Sequence, residues 1–216
     1  MTLAPHVTRR PEFLTFTGVD DCTSLVDMIS LSKRYPIEWG VLFSPKREGN
    51  RYPTTPINTN LAQAHNLRMV AHLCGGYARR VAAYADAAII DLDFVPFQRV
   101  QFNGQIAATN CRLWAQLNGM KPILQTRSYN FPTLTSVTWL YDQSGGRGKL
   151  AQRWPHHEDE RLVGYAGGLE ASNIMEVIEA IDPIGLYYMD MEGRLRDADD
   201  WFDLNRCEAV CKRVYG

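Results

Sequence analysis

The stretch WLYDQSGGRGK, residues 139–149, joins three apolar residues to an aspartate and a glycine-rich loop. Its apolar start is typical of a buried strand, which delivers Asp142 at its end. Glycines such as Gly146 let backbone N–H groups of the loop approach an anion closely. The alternative is an ordinary flexible loop in which Asp142 caps a turn, since glycine loops are common. Either interpretation predicts a strand that ends in a polar loop.

A second stretch, GYAGGLEASN at residues 164–173, has the same organisation. A strand ends in Gly167 and Gly168, and a helix is predicted to begin at about Ser172. Glycine amides and helix N-termini bind phosphate well. The alternative is a plain strand-to-helix turn with Ser172 as the N-cap.

Working outward, apolar strand segments alternate with helical patterns along the chain. Eight strands are predicted, at residues 13–17, 37–43, 68–73, 99–102, 122–126, 137–141, 161–165 and 185–189. Helices are predicted from a cap at Asp20 and Asp21 to about Tyr35, and at residues 58–66, from 75, 106–118, 172–181 and 204–214. Residues 131–135 are too few for a helix. This order predicts a single (β/α)8 (TIM) barrel, with a doubly wound open sheet as the alternative.

Length and charge restrict the class of protein. The 216 residues carry a net charge of −1, with 45% hydrophobic and 22% charged residues. We expect one domain over residues 1–216, with residues 1–11 as a polar N-terminal extension. So balanced a charge gives no electrostatic reason to bind nucleic acid or a membrane, so the expected partner is a small molecule. The oligomeric state is not predicted.

The cysteines and the chain start bear on compartment and cofactors. Five widely spaced cysteines make a disulfide framework improbable. The first eleven residues contain no apolar run of the signal-peptide type, so we expect a cytoplasmic protein. Cys207 and Cys211 lie four apart on the last predicted helix and so share one face, which allows metal binding in principle. Because no other Cys or His lies near them in sequence, we expect them to be core residues. No metal and no cofactor are predicted.

Taken together, the two glycine stretches resemble phosphoribosylanthranilate isomerase. Members of this family carry a strand ending in Asp, then Gly-Gly-Thr-Gly-Lys, and later Ala-Gly-Gly-Leu-x-x-x-Asn, which match residues 142–149 and 166–173. The family's Val-Gln-Leu-His-Gly strand is similar to residues 100–104, which include Gln101 and Asn103. Its strand running into a Ser-Pro and Arg loop is similar to residues 40–46, with Arg51 further on. The resemblance covers the chain from about residue 13.

The resemblance implies a (β/α)8 barrel that converts an N-linked ribosyl phosphate into a ketose phosphate. A general acid protonates the ring oxygen, and a general base removes the proton from C2 of the sugar. The acid would be Asp142. Arg51 would bind an acidic group of the substrate, and Gly167 and Gly168 would bind phosphate through their amides. We expect Gln101, Asn103 and Gly146 to contact the substrate as well.

Two positions depart from the family pattern. The family's basic Cys is replaced by Thr17, whose hydroxyl is a very poor base. In the last phosphate loop, Glu192 replaces a Ser and would repel phosphate, while Arg194 replaces a Gly and would either attract phosphate or pair with Glu192. We expect the family's own reaction to be absent or very weak unless another group supplies the base.

His72 and Cys74 lie at the end of the third predicted strand, and either is a candidate for that base. The alternative is a packed histidine and a buried thiol. Arg127 follows the fifth strand and is either a binder of an acidic substrate or a surface arginine. His156 and His157 are predicted to lie in a solvated loop.

Two functions remain open from the sequence. The first is an isomerase-type enzyme that acts on a sugar or sugar-phosphate conjugate with Asp142 as general acid. The second is a non-catalytic barrel that binds a small ligand or a protein partner, which the loss of the family Cys and the presence of Glu192 favour. Turnover of phosphoribosylanthranilate, as opposed to binding alone, discriminates between them.

Overall fold

Eight parallel strands pair in chain order and close into a barrel in the computed structural model. The model describes residues 9–47, 49, 51–53, 66–84, 90–104 and 106–216. The strands are β1 Leu14–Thr17, β2 Ile37–Phe43, β3 Arg68–Leu73, β4 Arg99–Phe102, β5 Lys121–Thr126, β6 Thr138–Tyr141, β7 Val163–Ala166 and β8 Tyr187–Met191. The last strand pairs with the first, with Leu14 opposite Met189. The predicted (β/α)8 barrel is confirmed, and the open sheet is excluded.

Helices on the outside of the barrel cover most of the strands. Those of the described residues are α1 Leu25–Arg34, α2 Gly76–Ala83, α3 Ala108–Leu117, α4 Ile174–Ile181 and α5 Leu204–Tyr215. A short 3-10 helix, Gly193–Leu195, follows β8. None of these helices is long and apolar enough to cross a bilayer. Cys207 and Cys211 are fully buried on α5, as expected for core residues.

The predicted cap of the first helix is wrong. Ser24, and not Asp20 or Asp21, caps α1, because the Ser24 hydroxyl accepts a hydrogen bond from the Asp27 N–H. Asp20 is buried and accepts from the Phe202 N–H at 2.8 Å. It also pairs with Arg196, at 3.3 Å, after β8. The aspartate therefore ties the β1 loop to the end of the barrel.

Most predicted strand limits agree with the structure, and the later ones are shifted. The limits of β2, β3 and β4 are those predicted. β7 and β8 begin two residues later than expected. At β8 the reason is that Gly185 still lies in a bend, where its N–H donates to the His157 carbonyl. The helix predicted over residues 58–66 lies, apart from Asn66, outside the described residues.

Aromatic loops replace helices on one side of the barrel. Residues 127–137 and 142–162 are all described and contain no helix. The Tyr141 and Tyr165 hydroxyls donate to the carbonyls of Arg153 and Pro155. Trp154 packs edge-on against both tyrosines, with ring centroids 5.8 and 6.1 Å away. The loops thus bring an apolar layer of their own to the outside of β6 and β7.

The prediction that His157 lies in a solvated loop is wrong. The side chain is buried under this aromatic layer, with its ring edge-on to Phe131. Its Nε2 lies 2.6 Å from the Arg161 carbonyl oxygen. His156 does remain partly exposed, beside Glu158. The charged residues next to His156 and His157 indicated an exposed loop, although the His157 ring is buried.

The interior of the barrel holds a small core of its own. It is formed by one inward side chain from each of several strands: Phe13, Val70, Ile123, Leu140, Ala166 and Tyr188. A buried ion pair, Arg99 to Glu38 at 2.8 Å, lies beside it. These residues fill the centre of the barrel, and two of them, Leu140 and Ala166, also form part of the lining of a cleft at the carboxyl ends of the strands.

Candidate functional site

A cleft of about 320 Å³ opens at the carboxyl ends of the strands. This is the end of a (β/α)8 barrel at which active sites lie. Its lining comes from strand ends and from the loops after β2, β6, β7 and β8. Predicted site residues in the lining are Arg51, His72, Gln101, Asn103, Asp142, Gly146, Gly167, Gly168, Glu192 and Arg194. The fold therefore brings residues from most of the chain to one place.

Asp142, directly after β6, is held by its own loop. Its Oδ1 accepts hydrogen bonds from the Ser144 hydroxyl at 2.7 Å and the Gly145 N–H at 3.1 Å. Its Oδ2 accepts from the Gly146 N–H at 2.7 Å. Two of the loop amides expected to receive a substrate anion are thus bound to Asp142. The carboxylate itself is fixed in position at the edge of the cleft.

Thr17 lies just beneath the floor of the cleft. Its hydroxyl donates to Asp190 Oδ1 at 2.8 Å and lies 3.3 Å from His72 Nε2. A Cβ on Gly40 of the neighbouring strand would come within 2.5 Å of this hydroxyl, so only glycine leaves room for it. Asp190 and His72 line the cleft, and Thr17 does not. Thr17 therefore contacts two cleft residues without reaching the cleft itself.

Burial sets the protonation of both partners of Thr17. Desolvation raises the pKa of Asp190 to about 8, and the charges of Glu192, Glu38 and Asp142 add to the effect, against the hydrogen bond from Thr17. Desolvation, with a contribution from Arg99, lowers the pKa of His72 to about 3. At neutral pH the histidine is uncharged, and Asp190 is largely protonated.

Cys74 does not lie in the cleft lining of the described chain. Its thiol accepts a hydrogen bond from the Asn103 amide at 3.1 Å, and desolvation raises its pKa to about 12. A thiol that holds its proton so firmly is a poor base. Gln101 donates to Asn103 at 2.8 Å, and its own buried Oε1 has no partner within the described residues. That oxygen is available to a donor on a ligand.

Arg51 is already engaged by carboxylates of the chain. Its Nε and Nη2 both donate to Asp200 at 2.8 Å, and its Nη1 lies 3.6 Å from Glu192. The hydrogen bonds that Arg51 donates to Asp200 raise the pKa of Arg51. The half-buried Glu192 is thus paired with Arg51 rather than with Arg194. An acidic substrate group would compete with Asp200 for this guanidinium.

The glycine pair after β7 packs against the loop after β6. A Cβ on Gly168 would come within 2.6 Å of the Leu150 nitrogen, and one on Gly167 within 3.2 Å of Asp142 Oδ1. The predicted N-cap of the following helix is wrong: Asn173, and not Ser172, precedes α4. The Asn173 side chain bonds the Glu170 N–H and the Gly168 carbonyl, so it fixes the turn.

Arg127 is not among the lining residues of the described chain. Its guanidinium packs against Gly145, where any side chain would clash with it. Arg127 therefore supports the β6 loop from outside. Sequence reasoning also overlooked two residues, Asp190 in the lining and Ser144 on Asp142. A polar residue at the end of a predicted strand was the available signal for Asp190.

A closed parallel barrel with a polar cleft at its carboxyl ends defines the chain as a (β/α)8 barrel protein. No family model matches the sequence, and no curated protein matches it. The fold is similar to that of TrpF from Jonesia denitrificans, with a TM-score of 0.64 and 16% identity over 94% of this chain and 97% of that one.

Phosphoribosyl anthranilate isomerase from Thermotoga maritima is similar as well, with a TM-score of 0.59 and 15% identity over 94% and 98% of the two chains. A structure of phosphoribosyl anthranilate isomerase in complex with reduced 1-(o-carboxyphenylamino)-1-deoxyribulose 5-phosphate has a TM-score of 0.58 and 14% identity over 94% of this chain and 97% of that one. At these identities the likeness shows a common fold.

Proposed function

We propose that the chain is an isomerase-type enzyme that acts on a sugar or sugar-phosphate conjugate, with Asp142 as the general acid. The observation that carries the proposal is the convergence of Asp142 and Asp190 on one cleft. Acid–base isomerisation needs two such groups, one to give a proton and one to take a proton. A carboxyl pair in different environments is a known way of separating these roles.

The cleft also suits a polyhydroxylated ligand. Gln101 offers an unpartnered acceptor, and Arg147 and Arg194 bring positive charge to the rim. Glycines 146, 148, 167, 168 and 193 leave backbone close to the ligand space. Fold neighbours include an isomerase bound to a deoxyribulose phosphate derivative, which supports the choice of substrate class.

The second candidate is a non-catalytic barrel that binds a small ligand. It is favoured by the state of Arg51, which Asp200 and Glu192 already neutralise. A protein selected to bind an acidic substrate at this point would keep the guanidinium free. The two candidates differ in one measurable respect, which is turnover.

The test is conversion of phosphoribosylanthranilate, and of N-ribosylanthranilate without the phosphate, to the corresponding ketoses, followed by chromatography. We expect Asp142→Asn to lower turnover by about 10²–10⁴-fold, the usual contribution of a general acid. Asp91→Asn, at an exposed carboxylate on another part of the chain, is the matched control and should behave as wild type. Equal turnover by Asp142→Asn would remove Asp142 from the reaction. Binding of either compound without turnover by wild type would establish the second candidate.

A further inference from the structure

We propose that Asp190 takes the proton from C2 of the substrate, in place of the thiol that the resemblance puts at position 17. Thr17 and His72 would then position Asp190 and would not react themselves. This inference rests on the proposed function, because it supplies the base that an isomerase-type reaction needs.

The geometry places Asp190 between position 17 and the ligand space. Asp190 is on β8, directly beside β1, and its carboxylate accepts from the Thr17 hydroxyl at 2.8 Å. Thr17 is 1% exposed and lies outside the cleft lining, whereas Asp190 is part of the lining. A group in the cleft would therefore meet Asp190 where the family pattern has its base.

The other candidate bases are less suitable. The Thr17 hydroxyl is not acidic enough to ionise, and the Cys74 thiol lies outside the cleft lining and accepts a hydrogen bond from Asn103. His72 does line the cleft, but its Nε2 faces Thr17 at 3.3 Å and is buried. A ring held neutral by burial has little affinity for a proton. Glu192 also lines the cleft and has a pKa raised by burial, but Arg51 lies 3.6 Å from it. Asp190 combines access to the cleft with proton affinity and has no such cation beside it among the described residues.

The groups around Asp190 explain that affinity. Carboxylates face it from three elements, Glu38 on β2, Asp142 after β6 and Glu192 after β8, while Thr17 donates to it from β1. Tyr188 precedes it closely on β8, and the neutral His72 lies beyond Thr17. Burial raises the pKa of Asp190 to about 8, and negative charge on Glu192 and Glu38 adds to the effect; Asp142 adds to it once it has given its proton to the substrate. Once ionised, a carboxylate of this kind is a far stronger base than an exposed one.

The proposed step balances in protons and electrons. Asp142 protonates the ring oxygen, and the C1–O bond breaks to leave a protonated imine between C1 and the nitrogen. Asp190 takes the C2 proton, the C–H electron pair forms a C1=C2 double bond, and the imine electrons return to nitrogen. Asp190 then gives its proton to C1 while the C2 hydroxyl returns one to Asp142. Both carboxyl groups are restored, and the net change is an isomerisation.

The experiment compares Asp190→Asn, Asp190→Glu and the control Asp91→Asn with wild type. Turnover is measured with phosphoribosylanthranilate and N-ribosylanthranilate, and binding with reduced 1-(o-carboxyphenylamino)-1-deoxyribulose 5-phosphate. We expect Asp190→Asn to lower kcat by about 10²–10⁴-fold while the Kd for the reduced compound changes less than about threefold. Asp190→Glu should recover part of kcat, because it keeps a carboxylate near the cleft.

The pH dependence of kcat tests whether Thr17 positions Asp190. In wild type, kcat should rise with pH through about 8, as Asp190 loses its proton, for as long as Asp142 still holds the proton that it donates. The hydrogen bond from Thr17 lowers the pKa of Asp190, so Thr17→Val should move this rise to higher pH. Thr17→Ser, which keeps the hydroxyl, should restore the wild-type profile. An unchanged profile in Thr17→Val would remove Thr17 from the arrangement.

The outcomes separate this inference from the proposed function. Wild-type turnover that survives in Asp190→Asn, within about threefold, would overturn the role of Asp190 and leave the isomerase proposal standing. No turnover of either compound by wild type would overturn both. Loss of kcat in Asp190→Asn together with loss of binding would also count against it, because Asp190 would then serve to hold the ligand.

Discussion

At the scale of single residues, the cleft contains two neighbours of Thr17 with opposite responses to burial. Burial raises the pKa of Asp190, so this carboxyl stays protonated at a pH at which an exposed one is ionised. Burial lowers the pKa of His72, so this imidazole stays neutral at a pH at which an exposed one is protonated. Both states avoid a charge where water is scarce. The two residues therefore contribute opposite terms to the pH dependence of folding stability.

The sign of each term follows from which state binds the proton. Asp190 has a pKa of about 8 in the folded chain against an ordinary 3.8, so the folded state holds an extra proton between these values and its stability falls as pH rises. His72 has a pKa of about 3 against an ordinary 6.5, so the unfolded state holds the extra proton and stability rises with pH. From about pH 4 to 6.5 the two terms cancel.

We therefore expect single substitutions of Asp190 and His72 to change the pH dependence of the free energy of unfolding in opposite directions. Between about pH 4 and 6.5, Asp190→Asn should add a rise of about 1.4 kcal/mol per pH unit to the wild-type free energy of unfolding, and His72→Gln a fall of the same size. Urea titrations across this pH range give the measurement. Curves that run parallel to wild type would show that neither residue titrates as described.

We expect Glu192 to weaken the binding of phosphate in the cleft. Its carboxylate lines the cleft beside Gly193 and Arg194, and burial raises its pKa while Arg51 and Arg196 lower it. Like charges repel in a partly dry site, so we expect Glu192→Ser to bind inorganic phosphate and ribose 5-phosphate more tightly than wild type. Calorimetric titration measures both affinities. Tight wild-type binding, or equal affinities, would show that Glu192 does not oppose phosphate.

At the scale of elements, the loops after β5 and β6 stand in for two helices of the barrel. We expect Tyr165→Phe to lower the free energy of unfolding by about 1–2 kcal/mol, because the buried Pro155 carbonyl loses its donor. Tyr84→Phe, at a side chain 65% exposed, is the control and should change stability little. Urea denaturation gives the measurement. An unaffected Tyr165→Phe would mean that the aromatic rings alone fasten the loop.

The strands and helices also show which local features of the fold can be predicted from the sequence. Mainly apolar segments gave the limits of β2 and β3, because burial of a whole strand leaves a local signature, and the limits of the half-polar β4 were also predicted. The cap of α1 and the position of His157 were mispredicted for a common reason. Asp20 is bound by Phe202 and Arg196, and His157 by the turn before β8, so partners distant in the chain decide both.

At the scale of the whole molecule, closure of the barrel creates the candidate site. Strand alternation predicted the fold, and with it that Asp142, Asn103, Gly167 and Thr17 meet at one mouth. The first three line the cleft, whereas Thr17 only contacts its lining residues. The contact between Thr17 and Asp190 could not be predicted, because it spans 173 positions of the chain and depends on β8 lying against β1. The sequence also could not predict that the amides of the loop after β6 donate to Asp142. A loop that binds a ligand anion and a loop that binds its own carboxylate have the same composition.

The pairing of the first strand with the last has a consequence for how the protein is made. Synthesis at roughly 5–20 residues per second puts on the order of ten to thirty seconds between the emergence of Thr17 and that of Asp190. Throughout that interval β1 lacks the neighbour that will cover one of its edges, and an uncovered edge can pair with another chain. Thr17 and Asp190 can meet only after β8 has been synthesised, so a nascent chain that stalls before β8 has seven of the eight strands and lacks the proposed proton acceptor.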